Sequence, residues 1–356
     1  MIKTAIYTLI ILLHAVVLPV GGEEVISLGD DRFSTREQTI SSTLDKGEKV
    51  IINSAMGLSG TLSVVAQDSN QADFTYRKIL KTSDPSEAMD YADMIEVSLE
   101  STPEGLELIL QAPNPAPWGG TANSGMIEGE LYLPLDCQIE INAVYFDIKI
   151  EGPFNSVRNK PSLGRLDVRG VSQDVNLITS SRGIIAKDIG GTVSLTTSNR
   201  EMRIENLASR SRPAEIINEN ADINITNCTG AVNLKDSYGK IKLENMLFSG
   251  SDSKISGSYG PIRLEISDIE NTVVNVTNSN EDIQITIPDS VSAKFVLKVG
   301  PRGKISVEGL KIQPAAVKND QLEFITGDGK GALLVTIEGN GNIYLSGTAE
   351  KIDKGQ

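Results

Sequence analysis

Ile223-Asn224-Ile225-Thr226-Asn227-Cys228 and Ile241-Lys242-Leu243-Glu244-Asn245-Met246 are two occurrences of one phrase: apolar, polar, apolar, two polar residues, apolar. Variants begin at Ile148, Leu166, Ile184, Met202, Ile262, Ile283 and Ile305, so the phrase returns nine times between Ile148 and Leu310, at intervals of 18, 18, 18, 21, 18, 21, 21 and 22 residues. Alternation with a period of two is the signature of a strand; no unit carries the three-and-four spacing over ten positions that a helix needs. A second alternating run follows in most units, as at Val175 and Leu177, Val193 and Leu195, Val232 and Leu234, Val274 and Val276. Near-constant short periodicity means a supersecondary unit stacked on copies of itself, none able to bury its apolar face alone. The expected fold is therefore all-β, a right-handed parallel β-helix of short coils, the hand following the preference of parallel crossovers.

Each second run ends in turn formers: Ser180-Ser181-Arg182-Gly183, Ser198-Asn199-Arg200, Ser237-Tyr238-Gly239, Ser258-Tyr259-Gly260 and Ser279-Asn280. Gly and Asn accept the left-handed backbone of a sharp corner, and Ser hydrogen-bonds nearby backbone groups. Tyr238 and Tyr259 both stand three residues before the start of a phrase, so their rings are expected one above the other, a strand spacing apart, at one corner. Two readings compete. The rings stabilise the corner by stacking, or they offer a partner an exposed aromatic platform.

Outward from the repeat, residues 23–147 are β-rich without a repeat, and residues 311–356 hold two short strands expected to cap the open end of the solenoid. One helix is expected near residue 85: Asp84 suits its cap, Pro85 its first turn, and Ala88, Tyr91, Ala92 and Ile95 recur at helical spacing. Ala112 to Gly125 is a loop by composition and carries Trp118, the sole tryptophan. An exposed Trp118 would join Tyr238 and Tyr259 as a candidate partner contact; the alternative is a ring folded onto the sheet.

Residues 1–22 read as a secretory signal, with Lys3, an apolar run from Ala5 to Val17 and a small-residue exit at Val20-Gly21-Gly22; the alternative is an uncleaved membrane anchor, since the apolar run is near the lower limit for a span. Export to the periplasm, the cell surface or beyond is the expected localisation. The only histidine, His14, lies inside that signal. A mature chain without imidazole excludes Ser-His-Asp and Cys-His catalysis and His-containing metal sites. No phosphate-binding glycine loop or metal-ligand spacing is present, so no cofactor is expected. Removing the signal leaves 32 basic against 47 acidic residues, a net charge of −15, which disfavours nucleic acid as a partner. Cys137 and Cys228 are in phase with apolar neighbours and are expected as buried free thiols, far apart along the solenoid.

Leu131-Tyr132-Leu133-Pro134, Ile139, Ile141, Phe146-Asp147-Ile148 and Glu151-Gly152, followed by the recurrent I-x-L phrases, resemble the bacterial putative-adhesin domain family over about Val50 to Val307. The resemblance implies a secreted or envelope protein with a right-handed β-helix, and it carries over no catalytic or binding residue. The expected function is an exported, non-catalytic, adhesin-like binding or structural module whose partner is a glycan or an envelope protein. Two alternatives stand beside it: a polysaccharide-active β-helix enzyme and an envelope sensor. The enzyme reading would call for the Asn-x-Asp, Asp-Asp and Gly-His-Gly of the β-helical galacturonan hydrolases on neighbouring coils, but no histidine follows the signal and the one Asp-Asp, Asp30-Asp31, precedes the repeat. The columns Glu205, Glu244, Glu265 and Lys149, Arg203, Lys242, Arg263 read as solvated faces with cross-coil pairing.

Overall fold

The computed structural model describes residues 23–348 except 211, 311 and 313, so the expected signal, with His14, lies outside the described residues. Ile148, Leu166, Ile184, Met202, Ile223, Ile241, Ile262 and Ile283 are successive partners in parallel strands. Each is at most 2% exposed. The second runs form the opposite face, where Val157, Val175 and Val193 stack in register and Ala214, Val232, Ser253 and Val274 continue the column. The inward side chains of both faces merge into one core. The protein is an all-β parallel β-helix, with one helix among the described residues. Burying each such Ile or Leu is worth about 1.5 to 3 kcal/mol, so the repeated phrase is itself the source of cohesion between coils.

One polar position inside the phrase shapes every central coil. Asp188, Asn206, Asn227 and Asn245 each stand four residues after a phrase start, and all are left-handed, with φ of 53, 57, 58 and 56°. Gly170 holds the same position one coil earlier, at φ 70°. Asn and Asp tolerate this region better than any other residue with a side chain. The side chains then form a ladder along the outside: Asn206 Nδ2 donates to Asp188 Oδ1 at 2.6 Å, Asn227 Nδ2 to Asn206 Oδ1 at 3.0 Å, and Asn245 Nδ2 to Asn227 Oδ1 at 2.8 Å.

The solenoid extends beyond the legible repeat at both ends, and at both ends the coils stack out of chain order. Toward the amino terminus Ile139 lies between Val157 and Val50, and Val50 between Ile139 and Leu106. On the other face Ile148 is followed by Leu62 and then Gly129. The outermost coil is thus Gly105–Gln111 with Ser124–Pro134, although Lys49–Ser54 and Ser59–Gln67 come earlier in the chain. Toward the carboxyl terminus Ile283 pairs with Ile343, and Ile343 with Ile305. Val274 pairs with Leu333, and Leu333 with Phe295. The tail strands Gly331–Ile337 and Ile343–Gly347, expected to cap the end, fill an internal layer instead. Their partners are the last regular coil on one side and Ala293–Lys298 with Ile305–Glu308 on the other.

Antiparallel strands cover three of the edges that remain. Glu96–Thr102 pairs with Gly105–Gln111, Gln71–Lys81 with Ser124–Pro134, and Gln321–Ile325 with Ala293–Lys298. An antiparallel cover ends a parallel stack without presenting the edge of another parallel coil. The rings of Phe295 and Phe324 fasten the last of these covers, stacked with centroids 4.6 Å apart. The helix Pro85–Asp93 forms as expected: Asp84 accepts a hydrogen bond from the Ser86 N–H, and Ala88, Tyr91 and Ala92 are buried. No helix among the described residues is long and apolar enough to cross a membrane.

Candidate functional site

The corner that links each second-face strand to the next phrase is polar on its inside and varied on its outside. Inside, a buried side chain holds the turn in most coils. Thr179 Oγ1 donates to the Gly164 carbonyl, Thr197 Oγ1 to Arg182, Asn218 Nδ2 to Arg200 and Ala221, and Asn278 Nδ2 to Gly260. Asp236 occupies the same position and is 1% exposed. Its Oδ1 accepts from the Tyr238 and Gly239 N–H groups at 3.1 and 2.8 Å, while Oδ2 is buried without a partner. Burial first of all pushes the Asp236 carboxyl up to about 6, against the lowering effect of those N–H donors. These groups make the corner a rigid mount.

Outside, Tyr238 and Tyr259 stack with centroids 5.2 Å apart and planes 12° apart. They are 61% and 57% exposed, so both the expected stacking and an open aromatic surface are present at once. Asparagines flank the pair in the same column: Asn220 Nδ2 donates to Ser198 O and Asn199 Oδ1, and Asn280 Nδ2 to Ser258 O. The amides are spent on the backbone of neighbouring coils, which leaves the ring edges and hydroxyls as the outward chemistry.

Further down the same corner lies a groove of about 510 Å³ lined by Arg165, Arg182, Arg200 and Arg203, with Gly183, Ile185 and Ala221 among its other lining residues. Gly183 is required there, since a Cβ would come within 2.6 Å of the Glu201 carbonyl oxygen. The groove's one carboxylate, Glu201, is engaged by Arg203 at 2.8 and 2.9 Å and by Asn224 at 2.7 Å. The Arg203 guanidinium, above all through its hydrogen bonds, holds that carboxyl below the usual glutamate range.

Trp118 is not a surface contact. It is 4% exposed, its Nε1 donates to the Gly57 carbonyl at 2.7 Å, and its ring meets Tyr91 edge-on at 5.2 Å. The loop folds inward because Gly125 leaves room for the indole: a Cβ there would lie 2.6 Å from the ring. Cys137 and Cys228 are buried free thiols, with burial pushing them up to about 11 and about 12. The charged columns pair across coils only in part: Lys187 reaches Glu205 on the next coil, whereas Lys242 pairs with Glu244 and Lys149 with Glu151 along the same strand. Sequence reasoning found the tyrosines. It missed the arginine groove, whose signal was Arg182 and Arg200 at the same place in two consecutive corners.

A model of the family described as Toastrack DUF4097 matches residues 118–300, half of the chain and all of the segment Leu131 to Gly152 on which the resemblance rests. Among solved structures the chain is similar to a putative cell adhesion protein from Clostridium sporogenes, with 13% identity, 88% of this chain and 100% of that chain covered, and a TM-score of 0.20. It is also similar to a putative adhesin from Parabacteroides merdae, with 10% identity, 87% and 95% coverage and a TM-score of 0.31. A third, a putative adhesin from Bacteroides fragilis, has 11% identity, 87% and 97% coverage and a TM-score of 0.29. No curated protein matches the chain.

Proposed function

The chain belongs to the Toastrack DUF4097 family, and from that premise we propose that it is an exported, non-catalytic module of the cell envelope that binds its partner, a glycan or an envelope protein, along one corner of the solenoid. The observation that carries this reading is the exposed Tyr238–Tyr259 stack. Two aromatic rings held open to solvent on a hydrogen-bonded corner are pre-organised, so a partner that covers them loses little side-chain entropy on binding. Export is supported by the signal pattern and by what surrounds Glu23, the first residue after the expected cleavage point. Its backbone nitrogen donates to Asp93 Oδ1 at 2.8 Å, and its carboxylate meets the buried Lys78 ammonium at 2.6 Å. Cleavage before Glu23 would place an α-ammonium against Asp93, a charge-assisted contact. Intact mass of the processed protein tests this directly, the expected mature chain starting at Glu23.

The binding role is tested by presenting immobilised acidic and neutral polysaccharides to the wild-type protein and to the Tyr238→Ser/Tyr259→Ser variant, with and without calcium. The expected result is retention on at least one polysaccharide, weakened at least tenfold in the variant, with no new reducing or unsaturated ends. New ends would establish the enzyme instead. Retention unchanged in a variant whose only defect is a lower Tm would reduce the tyrosines to a corner brace.

A further inference from the structure

We infer that the groove at Arg165, Arg182, Arg200 and Arg203 is a binding site for an acidic oligosaccharide, its guanidinium groups receiving the carboxylates of successive uronate residues. The inference rests on the reading of the chain as a binding module and names the chemistry of one ligand. On a protein of net charge −14, four arginines converge on one groove of about 510 Å³, and among the described residues only Arg203 of the four forms an ion pair. The one acid in the groove is already occupied by that arginine and by Asn224. Arg182 and Arg200 therefore present positive charge without an ion-pair partner at an exposed corner, and Arg165, which also borders Asp147 and Asp167 in the next groove, adds to it. Concave walls concentrate such a field and draw anions toward it.

The stacking of the coils sets the spacing of these charges. Leu166, Ile184 and Met202 are in-register partners on consecutive coils, and Arg165, Arg182 and Arg200 stand one or two residues before them. Arg182 and Arg200, both two residues before their phrase starts, are therefore stacked about 4.8 Å apart, the spacing of neighbouring strands, with Arg165 one position later on the coil below. A linear polyuronate repeats one carboxylate per ring, so the stacked pair Arg182 and Arg200, with Arg165 beside it, faces a row of evenly spaced anions. Arginine suits this task better than lysine, because its planar fork donates two parallel hydrogen bonds to one carboxylate. The absence of side-chain bulk at Gly183 and Ala221 leaves space for a sugar ring between the arginines. Higher on the same corner, beyond Asn220, stand Tyr238 and Tyr259, so a longer oligosaccharide that overruns the arginines meets aromatic edges next. A nucleic acid fits poorly: it would leave a patch three coils tall for a surface of net negative charge.

Isothermal titration of the mature wild-type protein with galacturonate oligomers of four to eight residues tests the site, with neutral malto-oligomers and a single-stranded oligonucleotide of equal charge as comparators. The expected result is binding of the galacturonates that weakens at least tenfold in Arg182→Ala/Arg200→Ala, weakens less in Arg182→Lys/Arg200→Lys, and falls as salt rises from 50 to 300 mM, on the scale set by the ~10 Å screening length at 0.1 M. All four side chains are exposed, so the variants are expected to keep the wild-type Tm, and circular dichroism checks it. The site is overturned if wild-type protein binds no galacturonate oligomer, if the double alanine variant binds as well as wild type, or if the malto-oligomer or oligonucleotide binds equally well. Binding of a neutral polysaccharide that is lost in Tyr238→Ser/Tyr259→Ser and kept in Arg182→Ala/Arg200→Ala, beside no binding of the galacturonate oligomers, would sink the arginine site alone and leave the broader reading intact.

Discussion

Asp236 stands one coil above Asn218 in a single column of buried polar side chains, and the second atom of each group meets a different fate: Asn218 Nδ2 donates to two carbonyls, at 3.0 and 2.5 Å, where Asp236 Oδ2 has no partner. The next position upward is Gly257, whose partner in the following coil is Asn278. Asn278 shows what an amide does in this place: its Oδ1 accepts from the N–H groups two and three residues on, as Asp236 Oδ1 does, and its Nδ2 donates to Gly260 at 2.9 Å.

Asp236→Asn should therefore stabilise the protein at neutral pH. The substitution keeps both accepted hydrogen bonds and replaces an orphaned oxygen with a donor. Removing a buried unsatisfied polar atom is worth about 1 to 3 kcal/mol, and urea denaturation at pH 7 should show a higher midpoint with an unchanged m-value. A lower midpoint would mean that the charge of Asp236 is needed at the corner.

The same residue gives stability a slope in pH. Its folded carboxyl is raised to about 6 from an ordinary 3.8, so between those values the folded protein binds more protons than the unfolded one. Stability from this group is fully present below about pH 4 and is lost as pH rises through 6. The difference in stability between wild type and Asp236→Asn should consequently widen from pH 4 to pH 7. Asp328, lowered to about 2 chiefly by its hydrogen bond to Lys330, acts with the opposite sign, its contribution being lost as pH falls below about 4; it is common to both proteins and drops out of the difference.

Asn227 tests the outer ladder. Its amide donates to Asn206 and its carbonyl oxygen accepts from Asn245, at φ 58°. Asn227→Ala loses both ladder bonds and places an alanine in the left-handed region, whereas Asn227→Gly loses the bonds alone. The expected order of stability is wild type, then glycine, then alanine, with the alanine cost about 1 to 2 kcal/mol above that of glycine. Equal costs would show that the backbone at this position relaxes.

Much of this fold can be read because its rules are local. The phrase starts from Ile148 to Ile283 lie in register as their spacing requires, since a period-two pattern that slips by one residue would turn its apolar side chains outward. The left-handed column is equally written in the sequence, as Asp188, Asn206, Asn227 and Asn245 at a constant distance from each start, a polar recurrence weaker than the apolar one because Gly170 breaks it. The placement of Ile305 was not visible. Its interval of 22 residues from Ile283 fits one more coil, yet Ile343 intervenes, and no local signal states that a strand will leave a layer empty for a later one. Val50 and Leu62 are hidden for the same reason, since their coil partners stand on either side of them in space and both come later in the chain. Trp118 was ambiguous in sequence because a Gly- and Pro-rich loop is as compatible with an exposed ring as with the pocket that Gly125 opens.

The carboxyl-terminal layer supports a last prediction about cooperativity. Among the described residues Ala293–Lys298 and Ile305–Glu308 are joined by strand pairing to the regular solenoid only through Gly331–Ile337 and Ile343–Gly347, which pair with both. In a stack stabilised by nearest neighbours, removing one layer unfastens everything beyond it. A chain ended after Asp320 should therefore lose hydrogen-exchange protection across residues 293–308, although every residue of those strands is still present. The coils between Leu166 and Ser249, several layers away, should retain theirs. Substituting Val335, fully buried at the centre of the inserted layer, with Asp should reproduce the same local loss in the full-length chain, because an unpaired carboxylate there has no partner and no water. Protection that persists at residues 293–308 in both proteins would show that these strands close directly onto Val274 and Ile283 when the layer between them is missing.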